Sequence, residues 1–173
     1  TVTATTANRA ASATQVADRS GVSLRSVYRY YEDLEELMRA SIARAAERNA
    51  HLFELDGLGR GPLDERIERI VAQRRALYEA IGGMARAAVV RGRTSELIRA
   101  QVDRQMARLR DQAAAMFAPE LDAMPARERH ETADALAVTL GLEAMEQLHL
   151  AIGRSDAQAA AVQERMLRSL LRR

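Results

Sequence analysis

Residues 12–31 of the chain read Ser-Ala-Thr-Gln-Val-Ala-Asp-Arg-Ser-Gly-Val-Ser-Leu-Arg-Ser-Val-Tyr-Arg-Tyr-Tyr. Ser12 and Gln15 have the spacing of a capping box, which predicts that a short helix begins there. Gly21 can adopt the positive φ that a tight turn between two helices requires, and Ser23 is a residue type that caps the helix after such a turn. The stretch therefore predicts a helix-turn-helix.

The second helix of this motif has an outward face suited to the major groove of DNA. Arg25 can donate two hydrogen bonds to guanine, and Leu24 can contact a thymine methyl group. Ser12, Ser26 and Tyr30 can reach phosphates. The alternative is a helical hairpin whose polar face is solvated and whose tyrosines pack into a core.

Charge confines any nucleic-acid contact to this motif. The 173-residue chain has 26 basic residues, all of them Arg, and 24 acidic residues, so its net charge is only +2. Residues 9–31 contain four Arg and one Asp, whereas residues 32–36 contain four acids. We therefore expect local binding by the motif and no bulk electrostatic attraction to nucleic acid.

Composition predicts an all-α protein. Cysteine is absent, which excludes disulfides, thiolate metal sites and cysteine nucleophiles, and no cofactor or metal is expected. Gly and Pro together number 12, and no stretch alternates with period two for long. No apolar run approaches the roughly 18 residues that span a bilayer, so we expect a soluble cytoplasmic protein with no membrane partner.

Apolar periodicity predicts the helices that follow the motif. We expect one long helix over 34–56 and a loop at the glycines of 57–61, where no preceding strand supports a nucleotide site. The next helix should break at Gly82-Gly83 and again at 91–93, and another should span 98–117. A loop containing Pro119 and Pro125, a helix over 127–152 and a helix over 155–173 complete the chain.

The last two of these helices carry more apolar surface than one core needs. Leu136, Leu140 and Leu148 belong to one apolar row of 127–152, and a second row contains Val138 and Ile152. A helix that is apolar on two sides must be covered on two sides. We therefore expect a homodimer sealed through 127–152 and 155–173 as a four-helix bundle; a larger monomeric core is the alternative.

The stretch 16–31 resembles the DNA-binding signature of the tetracycline-repressor (TetR) family of transcriptional regulators, Ile-Ala-x-x-Ala-Gly-Val-Ser-x-x-Thr-x-Tyr-x-Tyr-Phe. The resemblance implies a helix-turn-helix DNA-binding domain over 1–45 and a helical effector-binding and dimerisation domain over 46–173. It also implies a homodimeric repressor that binds a palindromic operator and releases it when a small molecule binds.

Residue roles carried over from the family complete the DNA-contact set. Arg25 and Tyr28 would face the operator, with Leu24 and Thr14 as further base-side candidates. The predicted DNA-binding residues are Ser12, Thr14, Ser23, Leu24, Arg25, Ser26, Tyr28, Arg29 and Tyr30. Family members commonly have a phosphate-contacting Lys at the start of the next helix, where this chain has Leu34. Residues 1–11 contain one large apolar residue, Val2, so we expect the family's first helix to be incomplete here.

A ligand pocket is expected between the middle helices, roughly at 62–152. The predicted lining residues are Arg74, Tyr78, Met84, Met106, Met145 and His149, although side chains at such positions more often belong to an ordinary core. Methionine adapts to varied apolar ligands, so the expected effector is apolar or amphipathic. Arg74 interrupts an apolar stripe; it could meet an anionic group, although an ion pair with a neighbouring helix is the favoured expectation.

Two other classes of function are alternatives to a transcriptional regulator. Glu143-x-x-Glu146-x-x-His149 places carboxylates and an imidazole along one helical face, as in metal-dependent helical-bundle enzymes. Such enzymes need a second Glu-x-x-His, and the chain has none, so we expect no enzymatic activity. The remaining alternative is a helical adaptor or structural dimer that binds no DNA.

Overall fold

The computed structural model describes residues 21, 23, 25, 29, 31 and 34–172. The described part of the chain contains seven α-helices and no strand, which confirms the all-α prediction. In chain order its elements are α1 (Leu34–Arg48), a 3₁₀ helix (Ala50–Phe53), α2 (Leu63–Gly92), α3 (Glu96–Met116), α4 (Ala118–Asp122), α5 (Ala126–Thr139), α6 (Leu142–Glu146), a π-helical turn (Gln147–Ala151) and α7 (Asp156–Leu171).

Helix α2 is the central element because α3 and α7 both pack along it, and α5 packs against both of those helices. Its inward residues Ile67 and Ile70 are fully buried, together with Phe117 and with Leu136 and Leu167 from α5 and α7. Within the described residues, no helix is both long enough and apolar enough to cross a membrane.

The predicted helix over 34–56 is wrong beyond Arg48, where α1 ends. Asn49 directs its side-chain amide to the carbonyl of Ala45 at 2.8 Å, and its own carbonyl accepts from the amide of Leu52 at 2.9 Å. Side chains of this type compete with helical hydrogen bonds. The chain consequently tightens into the 3₁₀ helix, in which Phe53 is buried.

The predicted break at Gly82-Gly83 is also wrong, because α2 is a single helix of 30 residues from Leu63 to Gly92. A Cβ atom at Gly82 would lie 2.9 Å from the Tyr78 ring. The missing side chain therefore makes room for an aromatic ring on the same helix face. Helical packing outweighs the low propensity of the two glycines.

The single helix predicted over 127–152 is wrong, since α5 ends at Thr139 and α6 begins at Leu142. The Thr139 carbonyl accepts from the side chain of Gln163 on α7 at 2.8 Å instead of continuing the helical ladder. The predicted loop at Pro119 contains α4, with Pro119 in its first turn, where its missing N–H costs nothing.

Signals at the last helix are confirmed. Ser155 accepts from the Gln158 amide, and the Gln158 side chain accepts in return from the Ser155 amide, which completes the predicted capping box. Gly153 has φ +72° before it. The predicted end at residues 91–93 and the predicted helix over 98–117 agree with α2 and α3.

Candidate functional site

Five residues of the predicted DNA-binding motif belong to the described part of the chain. Gly21 has φ +69°. Arg25 and Arg29 have helical backbone and exposed side chains, and Ser23 is exposed before them. Helix α1 begins at Leu34, the position where the family commonly has Lys. The other DNA-contact candidates lie outside the described residues: Ser12, Thr14, Leu24, Ser26, Tyr28 and Tyr30. The helix-turn-helix and the domain boundary at residue 45 stay predictions.

A small apolar cavity of about 70 Å³ lies among α1, α2 and α3. Ile42 and Ala46 contribute the α1 side, and the predicted ligand residues Met84 and Met106 both line it. Its polar lining includes Gln105, whose side-chain oxygen is buried and has no hydrogen-bond partner in the described part of the chain. Residues of α1, the helix that follows the predicted DNA-binding motif, therefore line this cavity together with residues of α2 and α3.

A larger cleft of about 570 Å³ adjoins this cavity. Met106 and Leu109 line both spaces and so form the partition between them. Four ionisable residues also line the cleft: Arg74, Arg110, Asp134 and Glu143. The volume lies within the range of roughly 300–1,000 Å³ typical of small-molecule pockets.

Arg74 is buried to 1% exposure in this cleft, yet all its hydrogen bonds go to neutral oxygens. Nη1 donates to the side-chain oxygens of Gln73 and Gln112, and Nη2 donates to the Leu109 carbonyl at 2.9 Å. Nε has no partner among the described residues. The expected ion pair with a neighbouring helix is therefore wrong. Burial lowers the pKa of Arg74 to about 10, which still leaves it charged at neutral pH.

Arg66, two turns earlier on the same helix, shows the opposite arrangement. It is 3% exposed and forms two hydrogen bonds with Glu120 of α4, at 2.7 Å and 2.5 Å. Its Nη1 also donates to the Met116 carbonyl at 2.8 Å. A buried guanidinium usually has a carboxylate partner of this kind. Within the described residues, Arg66 has such a partner and Arg74 does not.

The glutamines that contact Arg74 also hold the segment after α1. The side-chain amide of Gln73 donates to the Leu52 carbonyl at 2.8 Å, and that of Gln112 donates to the Phe53 carbonyl at 2.9 Å. Both carbonyls belong to the 3₁₀ helix. Arg74 thus orients two amides, and the amides fix the turn that ends α1. We call Arg74, Gln73 and Gln112 the guanidinium–amide cluster.

The sequence prediction missed both glutamines of this cluster. A signal was present, because Gln112 is one helical turn beyond Leu109 and one turn before Met116, on the inward side of α3. A polar side chain at such a position needs a buried partner. Arg74 interrupts an apolar stripe in the sequence, but its contacts with Gln112 and the Leu109 carbonyl on α3 cannot be predicted from spacing within one helix.

The remaining ligand candidates, Tyr78, Met145 and His149, pack together, and Tyr78 also lines a small pocket of about 90 Å³ with Met106. Tyr78 stacks on His149 with ring centroids 5.2 Å apart, and His149 Nδ1 lies 2.9 Å from the Arg154 carbonyl oxygen. Met145 is fully buried in the same cluster. The structure therefore divides the predicted ligand set between the two spaces near Met106 and this packed group. Ligand binding by these residues stays a prediction.

The residues of the Glu143-x-x-Glu146-x-x-His149 motif either contact other groups or are exposed. Glu146 pairs with Arg86 at 2.5 Å, and His149 makes the contacts described above. Glu143 is exposed. Across residues 34–172, no group of three or more His, Asp or Glu side chains is arranged to hold a metal ion.

Comparison of the chain with models of known protein families, with curated proteins and with solved structures gives no match.

Proposed function

We propose that the chain is a homodimeric, TetR-like transcriptional regulator that acts in the cytoplasm. It binds a palindromic operator through a helix-turn-helix at residues 12–31 and releases the operator when a small molecule binds between the helices of its larger domain. Repression is the expected mode. The proposal rests on the sequence motif together with the described geometry around it.

The observation that carries the proposal is the sequence of turn, exposed arginines and helix start. Gly21 has the positive φ of a tight turn, and exposed Arg25 and Arg29 follow on helical backbone four residues apart, about one turn of an α-helix. Side chains in such a row can enter a major groove together, and Arg is the side chain that most often reads guanine there.

The apolar cavity supports control by a ligand. Helix α1 begins three residues after Tyr31 and contributes Ile42 and Ala46 to the cavity. A ligand that prefers an expanded cavity would shift α1 against α2 and α3, and the DNA-binding motif is attached to α1. Such control requires that the ligand bind one position of α1 more tightly than the other.

Exposed apolar residues support the homodimer. Leu150 is 65% exposed and Val138 73%, and Ile152 and Met166 are also exposed. All four lie in the segments predicted to form the dimer, 127–152 and 155–173. A second copy of the chain would cover them in an isologous four-helix interface.

Selection of bound duplexes from random DNA, with the whole chain and at several salt concentrations, tests the proposal. We expect enrichment of one palindrome. Arg25→Ala should weaken binding to that palindrome by about 1–3 kcal/mol without changing the oligomeric state. Arg104→Ala is the matched control, because Arg104 is an exposed arginine on α3, far along the chain from the motif.

No enrichment from a folded dimer would contradict the proposal and favour the helical adaptor. Equal losses for Arg25→Ala and Arg104→Ala would contradict the assigned role of Arg25 and indicate non-specific electrostatic binding.

A further inference from the structure

The charge of Arg74 is unbalanced in the described structure. Arg66 and Arg74 are both buried on α2, and only Arg66 has a carboxylate partner. Burying a cation without a counter-ion is costly, and neutral amide or carbonyl oxygens offset only part of that cost. Arg74 also lines the 570 Å³ cleft. An anion in this cleft would lie next to Arg74 and, because the side chain is only 1% exposed, would reach the guanidinium by displacing one of its neutral partners.

Hydrogen-bond capacity points the same way. Nε of Arg74 is buried and has no partner within the described residues, and Nη2 uses one of its two hydrogens on the Leu109 carbonyl. The Nε–H and one Nη2–H of a guanidinium are parallel donors, which is the geometry that a carboxylate accepts with both oxygens. The Nε–H is therefore available to one oxygen of a carboxylate, and the other oxygen would share Nη2 with the Leu109 carbonyl or displace it.

We infer that this cleft binds a small amphipathic monocarboxylic acid, with its carboxylate on Arg74 and its apolar chain along Met106, Leu109 and Leu140. These three residues form an apolar wall of the cleft. Asp134 and Glu143 also line the cleft, but within the described residues neither forms an ion pair with Arg74. A single additional negative charge suits Arg74, whereas a dicarboxylate would meet repulsion from Asp134 and Glu143.

The acid acts on DNA binding through the guanidinium–amide cluster, a step that rests on the proposed function. A carboxylate on Arg74 competes with the oxygens of Gln73 and Gln112 for the guanidinium. Amides that lose this contact hold the Leu52 and Phe53 carbonyls less firmly, because their orientation is no longer fixed. The turn after α1 is then released, and α1 with it.

Calorimetric titration of the whole chain with sodium octanoate, in the absence of DNA, tests the site. We expect octanoate to bind, and octan-1-ol and the C8 dicarboxylate suberate to bind at least about tenfold more weakly. Arg74→Gln should lower octanoate affinity about tenfold or more while leaving octan-1-ol affinity unchanged.

Arg66→Gln is the matched control, since it removes the other buried guanidinium of α2. It should lower the melting temperature but keep octanoate affinity. Equal binding of octanoate and octan-1-ol, no octanoate binding by the wild type, or unchanged octanoate binding by a folded Arg74→Gln variant would each overturn the site.

Fluorescence anisotropy with the selected palindrome then tests the regulatory step. Octanoate should release the wild-type chain from DNA and should not release Arg74→Gln. If octanoate binds in calorimetry but leaves the DNA complex intact, the coupling is wrong and the site stands. If no palindrome is found, the proposed function fails, while the calorimetric result still decides the site.

Discussion

At the residue scale, the two buried arginines of α2 differ: Arg66 has a structural role, and Arg74 is the residue that we propose to bind a ligand. Arg66 connects α2 to α4 through Glu120 and to α3 through the Met116 carbonyl. All three guanidinium nitrogens of Arg66 donate a hydrogen bond to an oxygen atom. Arg74 makes equally short contacts but carries its charge without an anion. Burial alone would give the two side chains the same description; their partners give them different ones.

Glu120→Gln should destabilise the chain by about 3 kcal/mol, because it leaves the Arg66 charge buried without a counter-ion. Chemical denaturation monitored by circular dichroism measures the loss. The matched control is Glu131→Gln, which breaks the pair of Glu131 with Arg127 on exposed helix surface. That change should cost less than about 1 kcal/mol. Similar losses for both variants would contradict the structural weight given to the Arg66–Glu120 pair.

At the element scale, helix ends set by neighbouring residues were predictable and those set by distant residues were not. The capping box at Ser155 and the stop at Gly153 follow from local spacing, and both are confirmed. The end of α5 depends on Gln163, which lies 24 residues away and takes the Thr139 carbonyl. The passage of α2 through Gly82 depends on where the Tyr78 ring lies.

Substitution of the two central glycines of α2 tests that reading of Gly82. Gly83→Ala should stabilise the chain by about 0.5–1 kcal/mol, because Gly83 is exposed and alanine favours the helix. Gly82→Ala should give no gain or a net loss, since its Cβ would lie 2.9 Å from the Tyr78 ring. Thermal unfolding of both variants measures the difference in stability. Equal stabilisation by the two substitutions would show that the Tyr78 ring moves aside at little cost in free energy.

The candidate site was also predictable only in part. Arg74 and Met106 belong to apolar stripes of the sequence, and the structure brings both of them, together with Met84, to the walls of the adjoining cavity and cleft. Stripes report which residues face inward. They do not report the contacts of an inward arginine with Gln112 and the Leu109 carbonyl, because these groups lie on another helix. The pairing with Gln112, 38 residues away, was therefore beyond the reach of periodicity.

At the scale of the whole molecule, apolar side chains are arranged differently near α1 and near the C-terminal helices. Toward α1 the apolar side chains close around a cavity. Toward the C-terminal helices they stay exposed, with Leu150, Ile152 and Met166 on the surface. The first arrangement suits a ligand that acts on α1, and the second suits a second copy of the chain.

Leu150→Glu should weaken the proposed dimer, raising its dissociation constant about tenfold or more, because a charge would be buried at the interface. Analytical ultracentrifugation over a dilution series measures the change. Leu97→Glu is the matched control: Leu97 is 60% exposed, comparable to Leu150, but lies on α3 outside the predicted interface. A wild-type monomer, or equal effects of the two variants, would contradict the interface.

The dependence of Arg74 on two neutral amides has a genetic consequence. A glutamate in place of Gln112 would supply Arg74 with a permanent carboxylate and would replace the donor that faces the Phe53 carbonyl with an acceptor. Both changes imitate the proposed acid-bound state. Glutamine and glutamate codons differ only in their first base. Under the proposed coupling, loss of effector control therefore lies a single point mutation from the present sequence.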